Sequence, residues 1–188
     1  MKKLLSTILM VLAVPVSAVD VGIGVSATSD DGQIHLPIII SESFKIEPSI
    51  GYRQYDSSNS SSGSLESEVL NLGLGFYGMR SVAKDLNLVY GAKVTYLDGE
   101  VTNKSTFDFA GQTETLVNKQ SSSGYSFAPT LGFEYFIVEQ FSVGAEIALV
   151  YSDLDLDESS DRFDDEVSDS GSAEGWETET SLVARFYF

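Results

Sequence analysis

Beyond residue 18 the apolar residues of this chain recur at every second position, the period of a strand with one apolar face and not of a helix. Eight stretches carry the pattern: Val19–Ala27, Ile34–Ile40, Lys45–Tyr55, Glu68–Met79, Asn87–Leu97, Tyr125–Phe136, Phe141–Tyr151 and Trp176–Phe188. In the sixth, Tyr125, Phe127, Pro129, Leu131, Phe133 and Tyr135 share one face, with Ser126, Ala128, Thr130, Gly132 and Glu134 on the other. The seventh sets Phe141, Val143, Ala145, Ile147, Leu149 and Tyr151 against Ser142, Gly144, Glu146, Ala148 and Val150. Such a chain reads as all-β.

Its connections alternate in length. Short ones fall at Ser41–Ser43, Arg80–Asp85 and Val138–Gln140; long polar ones run through Ala27–Gln33, Asp56–Ser67, Asp98–Gly124 and Ser152–Gly175. Up-and-down hairpins give this rhythm when one rim of a barrel has turns and the other has loops, and an even strand count puts both termini on the turn side. Alternation alone does not say which face is inside, because a lipocalin-like barrel shows the same period with apolar residues inward.

Three features favour apolar outward. The other face is rich in small and weakly polar residues (Gly22, Gly24, Ser49, Gly51, Asn71, Gly73, Gly75, Gly91, Thr95, Thr130, Gly132, Gly144) rather than the Lys and Glu of a solvated surface, as suits an interior only wide enough for side chains to fill. Aromatics such as Tyr52, Tyr55, Tyr96, Tyr125, Tyr151 and Trp176 gather near strand ends, where amphipathic rings prefer headgroup depth. Strands of about 9–11 residues, tilted, match the hydrocarbon thickness. The expected fold is therefore an eight-stranded antiparallel up-and-down transmembrane β-barrel.

The first residues read differently. Met1-Lys2-Lys3, the apolar run Leu4–Val14 and the small residues of Val16-Ser17-Ala18 form a secretory signal with cleavage near Ala18. The barrel domain then occupies residues 19–188. Loss of Lys2 and Lys3 takes the formal charge from −17 to −19. That charge repels nucleic acid, and without cysteine there is no disulfide, thiol nucleophile or Cys-ligated metal.

The C-terminal Ser181-Leu182-Val183-Ala184-Arg185-Phe186-Tyr187-Phe188 resembles the insertion signal of outer-membrane proteins, with Phe186 and Phe188 as its aromatics and Val183 where that signal often has Gly. Leu131-Gly132-Phe133-Glu134-Tyr135-Phe136, followed by Phe141-Ser142-Val143-Gly144-Ala145-Glu146, resembles the last hairpins of small OmpA/OmpX-like barrels. The likeness spans the mature chain as architecture and these two segments as motif. It implies insertion into the outer membrane of a Gram-negative bacterium by the barrel-assembly machinery, among lipid and lipopolysaccharide. Since nothing follows Phe188, no peptidoglycan-binding domain of the OmpA kind is expected.

In register with the small residues lie Lys45, Glu47, Arg53, Lys93, Glu134, Glu146, Glu179 and Arg185, four basic and four acidic groups in a narrow lumen. Buried charges persist only when paired, so a salt-bridge network that plugs the barrel is expected. Lys93 and Glu146, at equivalent places in Gly91-Ala92-Lys93-Val94 and Gly144-Ala145-Glu146-Ile147, read as opposite charges at matching positions. The alternative is a narrow porin-like channel for ions or small solutes.

Between Asp153 and Glu174 stand ten acidic residues and one basic, Arg162. Asp153, Asp155 and Asp157 have the odd spacing of calcium ligands, but Glu158 takes the place where the sharp turn of such a loop wants Gly. A solvated acidic loop, loosely associating with divalent ions, is the simpler reading. Gly73-x-Gly75-x-x-Gly78 lies inside a strand and not between strand and helix, so nucleotide binding is not expected. The sole histidine, His35, has only Leu36, Pro37 and Ile38 beside it, with no Ser or carboxylate. The chain is thus read as a non-enzymatic surface-interaction barrel without cofactor, meeting an extracellular ligand or surface through Asp98–Gly124 and Ser152–Gly175.

Overall fold

Period-two patterning sends successive side chains to opposite faces, and nine strand segments result: β1 (Asp20–Ala27), β2 (Gly32–His35), β3 (Ile38–Ser41), β4 (Phe44–Asn59), β5 (Gly63–Ala83), β6 (Leu86–Phe109), β7 (Gln112–Val138), β8 (Phe141–Arg162) and β9 (Asp165–Tyr187). The computed structural model describes residues 20–28, 32–59, 63–109, 112–162 and 165–188. The expected signal over residues 1–18 lies outside the described residues.

Each strand pairs antiparallel with its neighbour, and β1 pairs with β9, closing the sheet into a ring. Both β2 and β3 pair with β1 and β4, so the nine segments fill eight positions. The expected second strand is divided at Leu36-Pro37, because proline lacks the ladder donor. Pro37 instead accepts from the Gly22 amide at 2.9 Å, while the Leu36 amide donates to Pro48 at 2.8 Å. Pro129 falls in a gap of the β7–β8 ladder, between the pairs Phe127–Tyr151 and Thr130–Ala148.

The sheet is inside out relative to a soluble protein. Ile23, Val25, Ile50, Leu72, Phe76, Val94, Phe127, Leu131, Phe133, Ile147, Leu149 and Leu182 are exposed on the outer wall, whereas Lys45, Glu47, Glu134 and Arg185 are at most 2% exposed within. A soluble monomer does not leave an apolar belt of this kind uncovered. Tyr77, Met79 and Val89, with Ile39 packed against them, form a small apolar plug toward the turn end. There the Tyr77 ring lies where a side chain on Gly75 would stand, so only glycine admits it.

Two-residue turns at Glu42–Ser43, Lys84–Asp85 and Glu139–Gln140 join strands at that end. Asp85 adopts φ 59°, a left-handed conformation that Asp tolerates better than most residues.

The other end departs from expectation. Asp56–Ser67, Asp98–Gly124 and Ser152–Gly175, read as loops, are continued ladders: β4–β5 pairing runs to Asn59–Gly63, β6–β7 to Phe109–Gln112 and β8–β9 to Arg162–Asp165. With 27 residues, β7 is roughly 90 Å long at ~3.3 Å per residue, far more than the 9–11 residues that cross a bilayer. The β1–β9 ladder, by contrast, stops at Ala27–Leu182 and the β2–β4 ladder at Gln33–Gly51. Beyond these pairs the described residues of β4–β9 form an open six-stranded sheet standing above one side of the ring.

Candidate functional site

Two regions carry chemistry: the lumen and the outer face of the projecting sheet. In the lumen, Lys45 and Glu47 come from β4, Glu134 from β7, Glu146 from β8 and Arg185 from β9, all on inward register positions. Arg185 donates from Nε to Glu47 Oε2 at 2.9 Å and from Nη2 to Glu47 Oε1 at 2.8 Å. The same Nη2 reaches Glu146 Oε1 at 2.7 Å, and Nη1 stands 3.7 Å from Glu134 Oε1. Lys45 Nζ bridges Glu47 Oε2 at 3.3 Å and Glu134 Oε2 at 3.2 Å, with the Tyr77 ring centroid 5.5 Å away. Ser142 and Tyr187 hydroxyls donate to Glu134 Oε1 at 2.6 and 2.7 Å. Two cations thus hold three carboxylates, and neutral donors take up remaining lone pairs, as a buried charge cluster requires.

The other expected lumen charges lie apart from this cluster. Lys93 donates to Gln33 Oε1 at 3.2 Å, not to Glu146. Their ladder partners on β7 explain the difference: Lys93 stands opposite Ala128 and Glu146 opposite Gly132, an offset of about 13 Å along the strand. Glu179 is half-buried on β9, opposite Ala148, and Arg53 is exposed on β4, opposite Val69.

His35 meets in space the partners that its sequence neighbours lack. Its Nε2 is 2.7 Å from Ser26 Oγ and its Nδ1 3.2 Å from Glu47 Oε1. The hydroxyl and carboxylate missing beside it in sequence arrive from β1 and β4, the strands on either side of β2. No local signal marks this grouping, since Ser26 and Glu47 are diagonal ladder neighbours of His35.

On the outer face the pattern changes at an aromatic level. Along β8, Ile147, Leu149 and Tyr151 give way to Asp153, Asp155 and Asp157; along β6, Val94 and Tyr96 give way to Asp98 and Glu100. Tyr96 packs on Tyr125 with centroids 5.3 Å apart, and Tyr151 on Trp176 at 5.0 Å. Above them acidic residues oppose one another directly, Glu68 with Glu100 and Asp153 with Glu174, and Tyr151 donates to Glu174 at 3.2 Å. Lys104 answers Glu66 at 3.1 Å.

Asp153, Asp155 and Asp157 are successive exposed residues on one face of β8, about 6.6 Å apart at each step. That spacing keeps them from meeting on one ion, and among the described residues no three His, Cys, Asp or Glu converge as metal ligands. Gly73, Gly75 and Gly78 lie within β5. Phe186 faces outward near its strand end and Phe188 is exposed just beyond β9, their rings 5.4 Å apart.

No protein-family model matches the chain, and no curated protein does. Among solved structures, a major outer membrane protein from Thermus thermophilus is similar with a TM-score of 0.66 at 11% identity, over 92% of this chain and 100% of that one. CarO2 from Acinetobacter baumannii gives a TM-score of 0.48 at 11% identity, over 92% of this chain and 100% of that one. The Thermus likeness shows a shared barrel fold.

Proposed function

We propose that the chain is an integral outer-membrane β-barrel of a Gram-negative bacterium, its lumen closed by its own side chains and its projecting sheet serving as the interaction surface. The observation that carries this reading is the pairing of an exposed apolar wall with a fully buried interior charge cluster. Lipid removes the wall from water, and the paired cluster fills the interior that the ring encloses. The aromatic level marks the outer interface, and the acidic face above it meets lipopolysaccharide through divalent cations or an extracellular partner through its charge. Residues 1–18 direct export, and Phe186 and Phe188 serve recognition by the assembly machinery.

The test is to reconstitute the protein in liposomes and digest from outside with trypsin. Lys104 and Lys119, above the aromatic level on β6 and β7, are cut, whereas Lys45, Lys93 and Arg185 are protected for as long as the barrel stays folded. Cleavage at Arg185 in sealed vesicles contradicts the reading.

A further inference from the structure

The Ser26–His35–Glu47 grouping has an order of its own. Glu47, held by Arg185 and Lys45, is a carboxylate and accepts only. In a neutral ring, His35 Nδ1, 3.2 Å away, is the nitrogen that donates to it, which leaves Nε2 to accept from the Ser26 hydroxyl at 2.7 Å. A hydroxyl donating to an imidazole whose other nitrogen donates to a carboxylate is the polarity a serine nucleophile needs. Burial is graded to match: Glu47 and His35 are buried, while Ser26 is half-exposed. Ser26 is also the penultimate residue of β1, where the β1–β9 ladder ends and the wall of the ring is lowest. Directly opposite it on β2 stands Gln33, whose Oε1 holds the Lys93 ammonium at 3.2 Å.

We propose that Ser26, His35 and Glu47 form a nucleophilic serine site at the outer mouth of the lumen, acting on small soluble carboxylic esters. Ser26 Oγ bonds to the ester carbonyl carbon as its proton passes to His35 Nε2. The acyl C–O bond then breaks, and His35 returns the proton to the leaving alcohol. Water, giving its proton to His35, attacks the acyl group, releasing the acid and restoring the Ser26 hydroxyl. Ser26 and His35 are the catalytic residues, and Glu47 positions the ring. The narrow interior of an eight-position barrel limits the substrate to short chains.

The test treats the full chain, refolded in detergent, with diisopropyl fluorophosphate, followed by peptide mass mapping. One adduct on Ser26 is expected, with fluoride released, together with hydrolysis of p-nitrophenyl acetate. Ser26→Ala abolishes both, and His35→Gln slows labelling by about 100-fold, each variant keeping heat-modifiable mobility as its sign of folding. Glu47→Gln, folded by the same criterion, displaces the pH midpoint of labelling and not only its extent; an unmoved midpoint removes Glu47 from the site. An unlabelled wild-type barrel that is folded overturns the proposal, as does an adduct that survives Ser26→Ala.

Discussion

Arg185 and Glu47, 138 residues apart in sequence, face each other across the lumen as a two-point pair of 2.9 and 2.8 Å. That pair ties β9 to β4 across the ring, and Lys45, Glu134, Glu146 and His35 all attach to it. Removing one partner unbalances a buried cluster: without Arg185, Glu146 loses its cation, and without Glu47, Lys45 and His35 lose a carboxylate. Glu47→Ala or Arg185→Ala is expected to cost about 3–5 kcal/mol, measured by urea unfolding of the refolded barrel. The double variant Glu47→Leu/Arg185→Met is expected to lose less than the sum of the two single changes, because the two residues interact directly.

The outer wall obeys the opposite rule. Leu131 is half-exposed midway between Tyr125 and Tyr135 on β7. Leu131→Arg is expected to destabilise the barrel in bilayers by about 2–4 kcal/mol, and the same change at Ser123, above the aromatic level, by less than about 1 kcal/mol. Folding titrations in lipid vesicles distinguish the two positions.

Two backbone sites are equally specific. Gly75→Val displaces the Tyr77 ring from its place over β5 and is expected to cost about 1–3 kcal/mol. Adding Tyr77→Ala then costs less than it does in the wild type, a non-additivity that equilibrium unfolding detects. At the turn, Asp85→Val forces a β-branched residue to φ 59° and is expected to cost about 1–2 kcal/mol, while Asp85→Gly leaves stability within about 0.5 kcal/mol.

The projecting ladders predict modularity. Because the ring closes below them, deleting residues 103–118 and rejoining β6 to β7 with a two-residue turn is expected to leave a heat-modifiable barrel. Loss of folding shows instead that the ring depends on its upper sheet.

Sequence patterning marked the strands wherever one face is apolar and the other polar, since that division puts apolar residues at every second position. Leu131, Phe133 and Tyr135 against Gly132 and Glu134 are visible for this reason. Above the aromatic level both faces of Asp98–Gly124 are polar, so the alternation vanishes while the ladder, built from backbone groups, continues. Lys93 and Glu146 looked paired because they occupy matching places in similar segments, but their β7 partners, Ala128 and Gly132, set them at different heights. Ser26, His35 and Glu47 meet through diagonal ladder neighbours, a relation that depends on register and on the break at Pro37.

The central claim is that the charge cluster closes the lumen, and current through a planar bilayer tests it most directly. The wild-type barrel, inserted and heat-modifiable, is predicted to pass no unitary steps. Glu47→Ala/Arg185→Ala, which removes the two-point pair, is predicted to open measurable conductance. Stable ion-selective steps from the wild type would contradict the account and make the protein a channel.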